Sequence, residues 1–475
     1  MEKFGWRKMN LEDFLRLVPR ELGEHLVPAS RALLLRRASK TIRGLVDKLR
    51  CRVDVQPGSL VRRMYGEADA PRGRRQAAVR LFVGRSLQLS MTDYDIRSFT
   101  LHSMVLEQTG SLNEMLRRSR RLEVLDMHNN HIQEDSMYEL FAAMPASLSV
   151  LKLTRQWITR AAVSPLCGAL LRLDKLVELD LSENYVNSHG MEALAASVSS
   201  PLLARLSLGY NALKSRFWNE HPRIGLDLFV LEKLDVSHNM LQATFCDSMY
   251  ACVRGSAAVL VELDVSFNDM RQTGVSYLST ALQQCRALRH LNVAGNCCGD
   301  AAIALLLDVI HPRVLGEKDV ALESLDVAHN NLTAASARLF SRCVGESPAL
   351  QRSLTRVSFS HNELRDTGGM LVIEGLLPCA MKSVSLAGCM LCEAAGLCLA
   401  GTMLLWPELA SLDVAGNCLG STSLALMARA LSENESEQKY MAFNGNWMPQ
   451  DSFEEVLAIL AGPRWTRRAP VRARA

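Results

Sequence analysis

A chain of 475 residues with 48% hydrophobic and 6% aromatic residues has the apolar material for a large core. No apolar run reaches the ~18 residues of a membrane-spanning helix. Thirteen cysteines, an odd number without a secreted-type framework, argue for reduced thiols. Glu2, Glu12, Asp13, Glu21 and Glu24 argue against a transit peptide. The expected location is therefore cytoplasmic, with nucleus and organelle matrix left open. The net charge of +4 conceals a polarity along the chain: residues 1–121 sum to +12, 122–461 to −13, and the tail 462–475 to +5. An acidic body between two basic ends points to different partners at each.

Residues 1–50 form the first predicted segment. Leu11, Phe14, Leu15 and Val18 recur at helical spacing before Pro19, and Leu33, Leu34, Leu35, Ala38, Ile42, Leu45 and Val46 form a second periodic run. The order Val18-Pro19-Arg20-Glu21-Leu22, then Leu34-Leu35, then Ala38-Ser39-Lys40-Thr41-Ile42-Arg43 resembles the F-box, a helical module that docks cullin-ligase adaptors. The middle helix is shortened, and no Trp or Phe follows Ser39-Lys40. A plain helical cap over the first repeat is the alternative.

Residues 51–95 read as a basic linker leading to the first repeat. Pro57-Gly58 and Pro71-Arg72-Gly73-Arg74-Arg75 break regular structure, and alternation over Val79, Leu81, Val83, Leu87, Leu89 and Met91 suggests an imperfect opening strand.

From 96 to 461 one pattern recurs. In Leu260-Val261-Glu262-Leu263-Asp264-Val265-Ser266-Phe267-Asn268-Asp269-Met270, alternation over Leu263-Asp264-Val265 marks a strand, and Asn268 stands where the chain must turn. Its side-chain amide can bond backbone groups that the turn leaves bare. The same frame ends in Asn130, Asn184, Asn211, Asn239, Asn296, Asn330, Asn362, Asn417 and Asn446, with Met104, Gln156 and Cys389 as variants. Successive units mostly lie 26 to 29 residues apart, about 13 in all. One unit cannot bury its apolar face alone, so neighbours must stack. Helical periodicity follows each turn, as at Gly274, Tyr277, Leu278 and Leu282. The intervals Leu291–Leu325 and Leu325–Val357 are longer, with the excess near 311–318 and 345–348, where rim loops are expected. Between Leu213 and Leu231 the helical pattern fails at Trp218, His221-Pro222 and Gly225.

This pattern resembles the leucine-rich repeat family, and its long period is similar to the ribonuclease-inhibitor-like class. The resemblance covers about three quarters of the chain. It implies an α/β horseshoe solenoid with a parallel sheet on the concave face and helices on the convex face. F-box modules often precede such repeats.

On that frame, strand residues facing away from the helices form columns. Asp126, Asp180, Asp235, Asp264, Asp326 and Asp413 lie between the two strand apolar positions, either as an acidic strip or as caps of the backbone. Just before each turn residue lies a second column: Glu183, Tyr210, His238, Phe267, Gly295, His329, His361, Gly388, Gly416 and Gly445. Aromatics amid acids are typical of interface centres. The expected concave partner site is Tyr210, His238 and Phe267 with Asp180, Asp235, Asp264, Glu183 and Glu262, Arg205 and Lys233 supplying counter-charge.

Other chemistry finds little support. His329 and His361 are adjacent in the column but lack a third ligand, and Cys389-Met390-Leu391-Cys392 has no second Cys pair, so Cys389 reads as a buried turn thiol. Vicinal Cys297-Cys298 reads as core filling. No phosphate-cradling loop or nucleophilic triad is present. No catalytic residue, cofactor or metal is expected, and the chain reads as a non-enzymatic protein-interaction scaffold. It is first a receptor that brings substrates to a cullin-type ubiquitin ligase, with an adaptor at the N-terminal helices. Alternatively it is a structural subunit of a cytoskeletal or ribonucleoprotein assembly, with RNA or acidic protein at the basic ends. The Ran GTPase activators share the repeat class; Arg155 beside Gln156 is the residue that reading singles out.

Overall fold

A computed structural model describes residues 51–55, 96–102, 105–106, 109–213, 230–242, 246–310, 322–434, 436 and 439–460. The expected F-box-like or capping segment, the residues that interrupt the helical pattern between Leu213 and Leu231, the rim loop expected near 311–318 and the basic tail lie outside them. The chain divides into two compact units, Met1–Val186 with Ala196–Leu203, and Asn187–Ala195 with Ala204–Ala475.

In the first unit, strands Cys51–Val55, Ile96–His102, Val124–His128, Val150–Thr154 and Glu178–Asp180 pair in that order, all parallel. Helices Gly110–Arg118, Glu134–Ala143 and Arg160–Leu170 connect the later strands. Strand Cys51–Val55 corrects the reading of 51–55 as linker. Cys51, Val53 and Val55 alternate with Arg52 and Asp54, a period-2 signal that was outweighed by the Pro-Gly break just after it.

In the second unit nine three-residue strands run parallel, from Arg205–Ser207 to Tyr440–Ala442. Their register is that of the sequence frame: Leu234, Leu263, Leu291, Leu325, Val357, Val384, Leu412 and Met441 occupy one row. A second row holds Val236, Val265, Val293, Val327, Phe359, Leu386 and Val414, each at most 1% exposed. Both rows face the helices. In helix Arg271–Leu282 the buried Val275, Leu278 and Leu282 recur at three- and four-residue steps, giving one apolar stripe to lay against the sheet. Full burial of each Leu or Val contributes about 1.5–3 kcal/mol. The excess residues before Val357 form a short helix, Pro348–Ser353, rather than a loop. Ser347 caps it by accepting from Leu350 N, and Pro348 opens its first turn.

The turn residues tie the repeats together. Asn296 Nδ2 donates to Val265 O, Val293 O and Ala294 O, while its Oδ1 accepts from Asn268 N and Met270 N of the preceding repeat. Asn330, Asn362 and Asn417 are bonded in the same way. Gln156 takes the role in the first unit, its Nε2 donating to Met127 O at 2.8 Å. Cys389 is buried and free, its thiol donating to Phe359 O, and burial pushes it up to about 12. Among the described residues, no helix is long and apolar enough to cross a membrane.

Candidate protein-interaction surface

The three aromatic candidates sit one residue before a turn Asn, where the chain leaves the strand. Their φ angles are positive: 52° at Tyr210, 51° at His238 and 53° at Phe267. The same holds at His329 and His361, and at Gly295, Gly388, Gly416 and Gly445. The left-handed turn is imposed from outside, because each residue's N–H is drawn to a carbonyl of the next repeat: Tyr210 to Ser237, His238 to Ser266, Phe267 to Ala294. Left-handed geometry costs an L-residue about 1–2 kcal/mol, and glycine avoids that cost. Large rings therefore stand here against the local preference.

Strands about 4.8 Å apart bring these side chains within stacking distance. Tyr210 and His238 stack at 3.8 Å between ring centroids, His238 and Phe267 at 4.3 Å, and His329 and His361 at 4.1 Å. Phe267 and His329, which come from repeats on either side of Gly295, meet at 5.7 Å with their planes tilted by 55°. The outcome is a ladder of five rings, with Tyr210 54% and Phe267 40% exposed. The aromatic trio was predicted; its extension through His329 and His361 was not. The column places all five rings at one frame position, with Gly295 between Phe267 and His329.

Beside the ladder lies the acidic column, and it is in large part structural. Oδ1 of Asp235, Asp264, Asp326 and Asp413 each accepts the backbone N–H two residues on, and Asn292 does the same. One oxygen of each carboxylate is thus spent on the strand end, as the capping alternative held. Asp264 Oδ2 also accepts from Asn292 Nδ2 at 2.8 Å. Glu262 pairs with Lys233 at 2.7 Å. A depression of about 370 Å³ opens on the sheet face, lined by Glu262, Asp264, His290, Asn292, Ser324 and Asp326. Burial holds the Asp326 carboxyl above the usual range, with neighbouring Asp264 adding to the shift and bonds from Ala328 N and Ser358 opposing it. Burial likewise holds His238 and His329 below the usual imidazole value; Asp264 and Asp235 act against it at His238, while His361 adds to it at His329.

Two of the predicted site residues belong to the first unit. Asp180 Oδ1 accepts from Ser182 N and Oγ, and its Oδ2 from Thr154 Oγ1. Glu183, with φ of 55°, lies 3.9 Å from Arg155. They share the frame positions of the second unit's residues, and only Tyr210, His238, Phe267, Asp235, Asp264 and Glu262 belong together in one unit. Among the described residues, no group of three or more His, Cys, Asp or Glu could hold a metal.

Parallel three-residue strands, alternating helices and an asparagine turn ladder define an α/β repeat solenoid. Comparison with known proteins agrees. A family model described as "Leucine Rich repeat" matches residues 257–279 and 351–372. Ribonuclease inhibitor of Sus scrofa is 23% identical over 363 residues, covering 69% of this chain and 71% of that protein. NACHT, LRR and PYD domains-containing protein 14 of Homo sapiens is 23% identical over 67% of this chain, and protein 12 of Mus musculus 27% identical over 60%. The chain spans only 29% and 26% of their lengths. A crystal structure of the yeast Rad7 and Elc1 complex shares the fold, with a TM-score of 0.50 at 15% identity, over 80% of this chain and 91% of that one. This chain is a leucine-rich repeat protein whose repeats are similar to those of ribonuclease inhibitor.

Proposed function

We propose that the second unit docks a protein partner on its exposed sheet face, centred on Tyr210, His238 and Phe267. The observation that carries this is the ring ladder: rings of 54% and 40% exposure held in left-handed turns. They cost folding energy and solubility and fill no core, so binding is the return. The test compares wild type with the Tyr210→Ala/Phe267→Ala protein, partners being captured side by side from extract and the strongest then titrated as purified protein. The double variant should bind about 30-fold more weakly, the ~2 kcal/mol of a hot spot, with little change in melting temperature. Full binding by the double variant would move the docking surface elsewhere.

The finer reading makes this protein a substrate receptor of a cullin-type ligase. It is favoured by the Val18-Pro19 and Ala38-Ser39-Lys40-Thr41-Ile42-Arg43 motifs, and the sheet face would then hold the target. Deleting residues 1–50 should abolish pull-down of a purified ligase adaptor while sparing the sheet-face partner. Retained adaptor binding would end that reading.

A further inference from the structure

The rings of the ladder stack upon one another, so what they offer a partner is their edges, a narrow apolar strip that excludes water. Specific recognition must come from what borders it. Along the border the second unit presents Asp235, Glu262, Asp264, Asp326 and Asp413. Of the cations on this face, Lys233 is paired with Glu262 at 2.7 Å, Arg205 is in register with Lys233, and Arg356 is in register with Ser324 at one side of the depression. The depression on the sheet face holds three carboxylates, Glu262, Asp264 and Asp326, against one imidazole, His290. Within it Asp264 and Asp326 come from strands two apart, with Asn292 between them, so their Cα atoms lie about 10 Å from each other. Burial and the proximity of Asp264 hold the Asp326 carboxyl above its usual range, with the Ala328 N–H, Ser358 and His329 acting against them.

We infer that the docked partner is a basic protein segment that places an arginine side chain in this depression, between Asp264 and Asp326, with flanking apolar residues along the edges of Phe267 and Tyr210. Arginine suits the site better than lysine. Its planar guanidinium carries donors on opposite sides and can serve two separated carboxylates, whereas an ammonium is a single point of charge. The inference rests on the docking reading above and adds the chemistry of the occupant.

The experiment uses three fluorescein-labelled nonapeptides with one apolar frame of Leu and Tyr and three variable positions filled by Arg, Lys or Glu. Binding to the full chain is read by fluorescence anisotropy. The Arg peptide should bind at least fivefold more tightly than the Lys peptide and far above the Glu peptide. Asp264→Asn/Asp326→Asn keeps both backbone acceptors, as Asn292 does naturally in the same column, and should weaken the Arg peptide at least tenfold. Asp413→Asn, in the same column but outside the depression, should change it less than twofold. Equal binding of Arg and Glu peptides, or indifference to the double Asn change, overturns the inference. Loss on Tyr210→Ala/Phe267→Ala without loss on the Asn changes sinks the arginine while leaving the docking surface standing. Indifference to the aromatic changes sinks both.

Discussion

The ring of Phe267 lies against the backbone of Gly295, so close that a β-carbon on Gly295 would fall 2.4 Å from Phe267 Cδ1. The same arrangement recurs at His361 and Gly388, where the β-carbon would fall 2.6 Å from Nδ1. Glycine thus makes room for the ring of the preceding repeat, as well as easing its own left-handed turn. Gly295→Ala should therefore do two things. It should cost roughly 1 kcal/mol through the φ of 66°, visible in urea titration, and it should push Phe267 aside and weaken the docked partner about as much as Phe267→Ala. Unaltered binding would show that the Phe267 orientation is immaterial.

The strain in the ladder can be separated from its use. Phe267→Gly removes ring and left-handed penalty together, while Phe267→Ala removes only the ring. The Gly variant should be the more stable of the two by about 1 kcal/mol, and both should lose partner binding equally. A less stable Gly variant would mean that the turn carries no strain.

The turn asparagines differ in how fully they are used. Asn296 employs both ends of its amide, whereas Asn268 donates to Val236 O, Val265 O and Ser266 O but its Oδ1 has no donor. Asn296→Ala bares two buried N–H groups of the preceding repeat and should destabilise by about 2–3 kcal/mol. Asn268→Ala, which frees only carbonyls, should cost nearer 1 kcal/mol. Equal midpoints in denaturant would contradict this difference.

Acid should loosen the ladder. His238 and His329 titrate below the usual imidazole value in the folded protein because burial disfavours their cations. As pH falls from 7, the unfolded chain takes up these protons first, so stability is complete above about 6.5 and is lost on the way down through the folded values. Asp326, held above its usual value, acts with the opposite sign and at lower pH. His329→Gln should flatten the fall in melting temperature between pH 7 and 5.5. An unchanged slope would place the titration elsewhere.

The repeat was legible because it is written in residue types whose physics is local. Leu263 and Val265 alternate, Asn268 follows, and Val275, Leu278 and Leu282 change period; each needs only the preceding few residues to be understood. The aromatic trio was legible by the same frame. What the sequence concealed was geometry between repeats. The frame does not say that Phe267 lies against Gly295, and it leaves open whether Asp264 is a free charge or a cap until Ser266 N is found on its Oδ1. Lys233, read from the frame as counter-charge, pairs with Glu262 across 29 residues of sequence. Strand Cys51–Val55 was missed because its pairing with 96–101 spans a long interval that carries breakers.

The asparagine ladder also gives the array a direction. Several turns in the second unit borrow a side-chain acceptor from the repeat after them, as Asn268 N and Met270 N borrow the Asn296 amide oxygen, and Asn330 N and Leu332 N that of Asn362. Cutting repeats from the C-terminal side at such a turn strands two buried donors. At the turn itself, cutting from the N-terminal side leaves the next Asn with an idle Oδ1 and its Nδ2 short of one of three acceptors, a milder loss. Serial truncation of this array should thus be unequal from its two sides, and unravelling under load should begin more readily on the side whose departure abandons fewer donors.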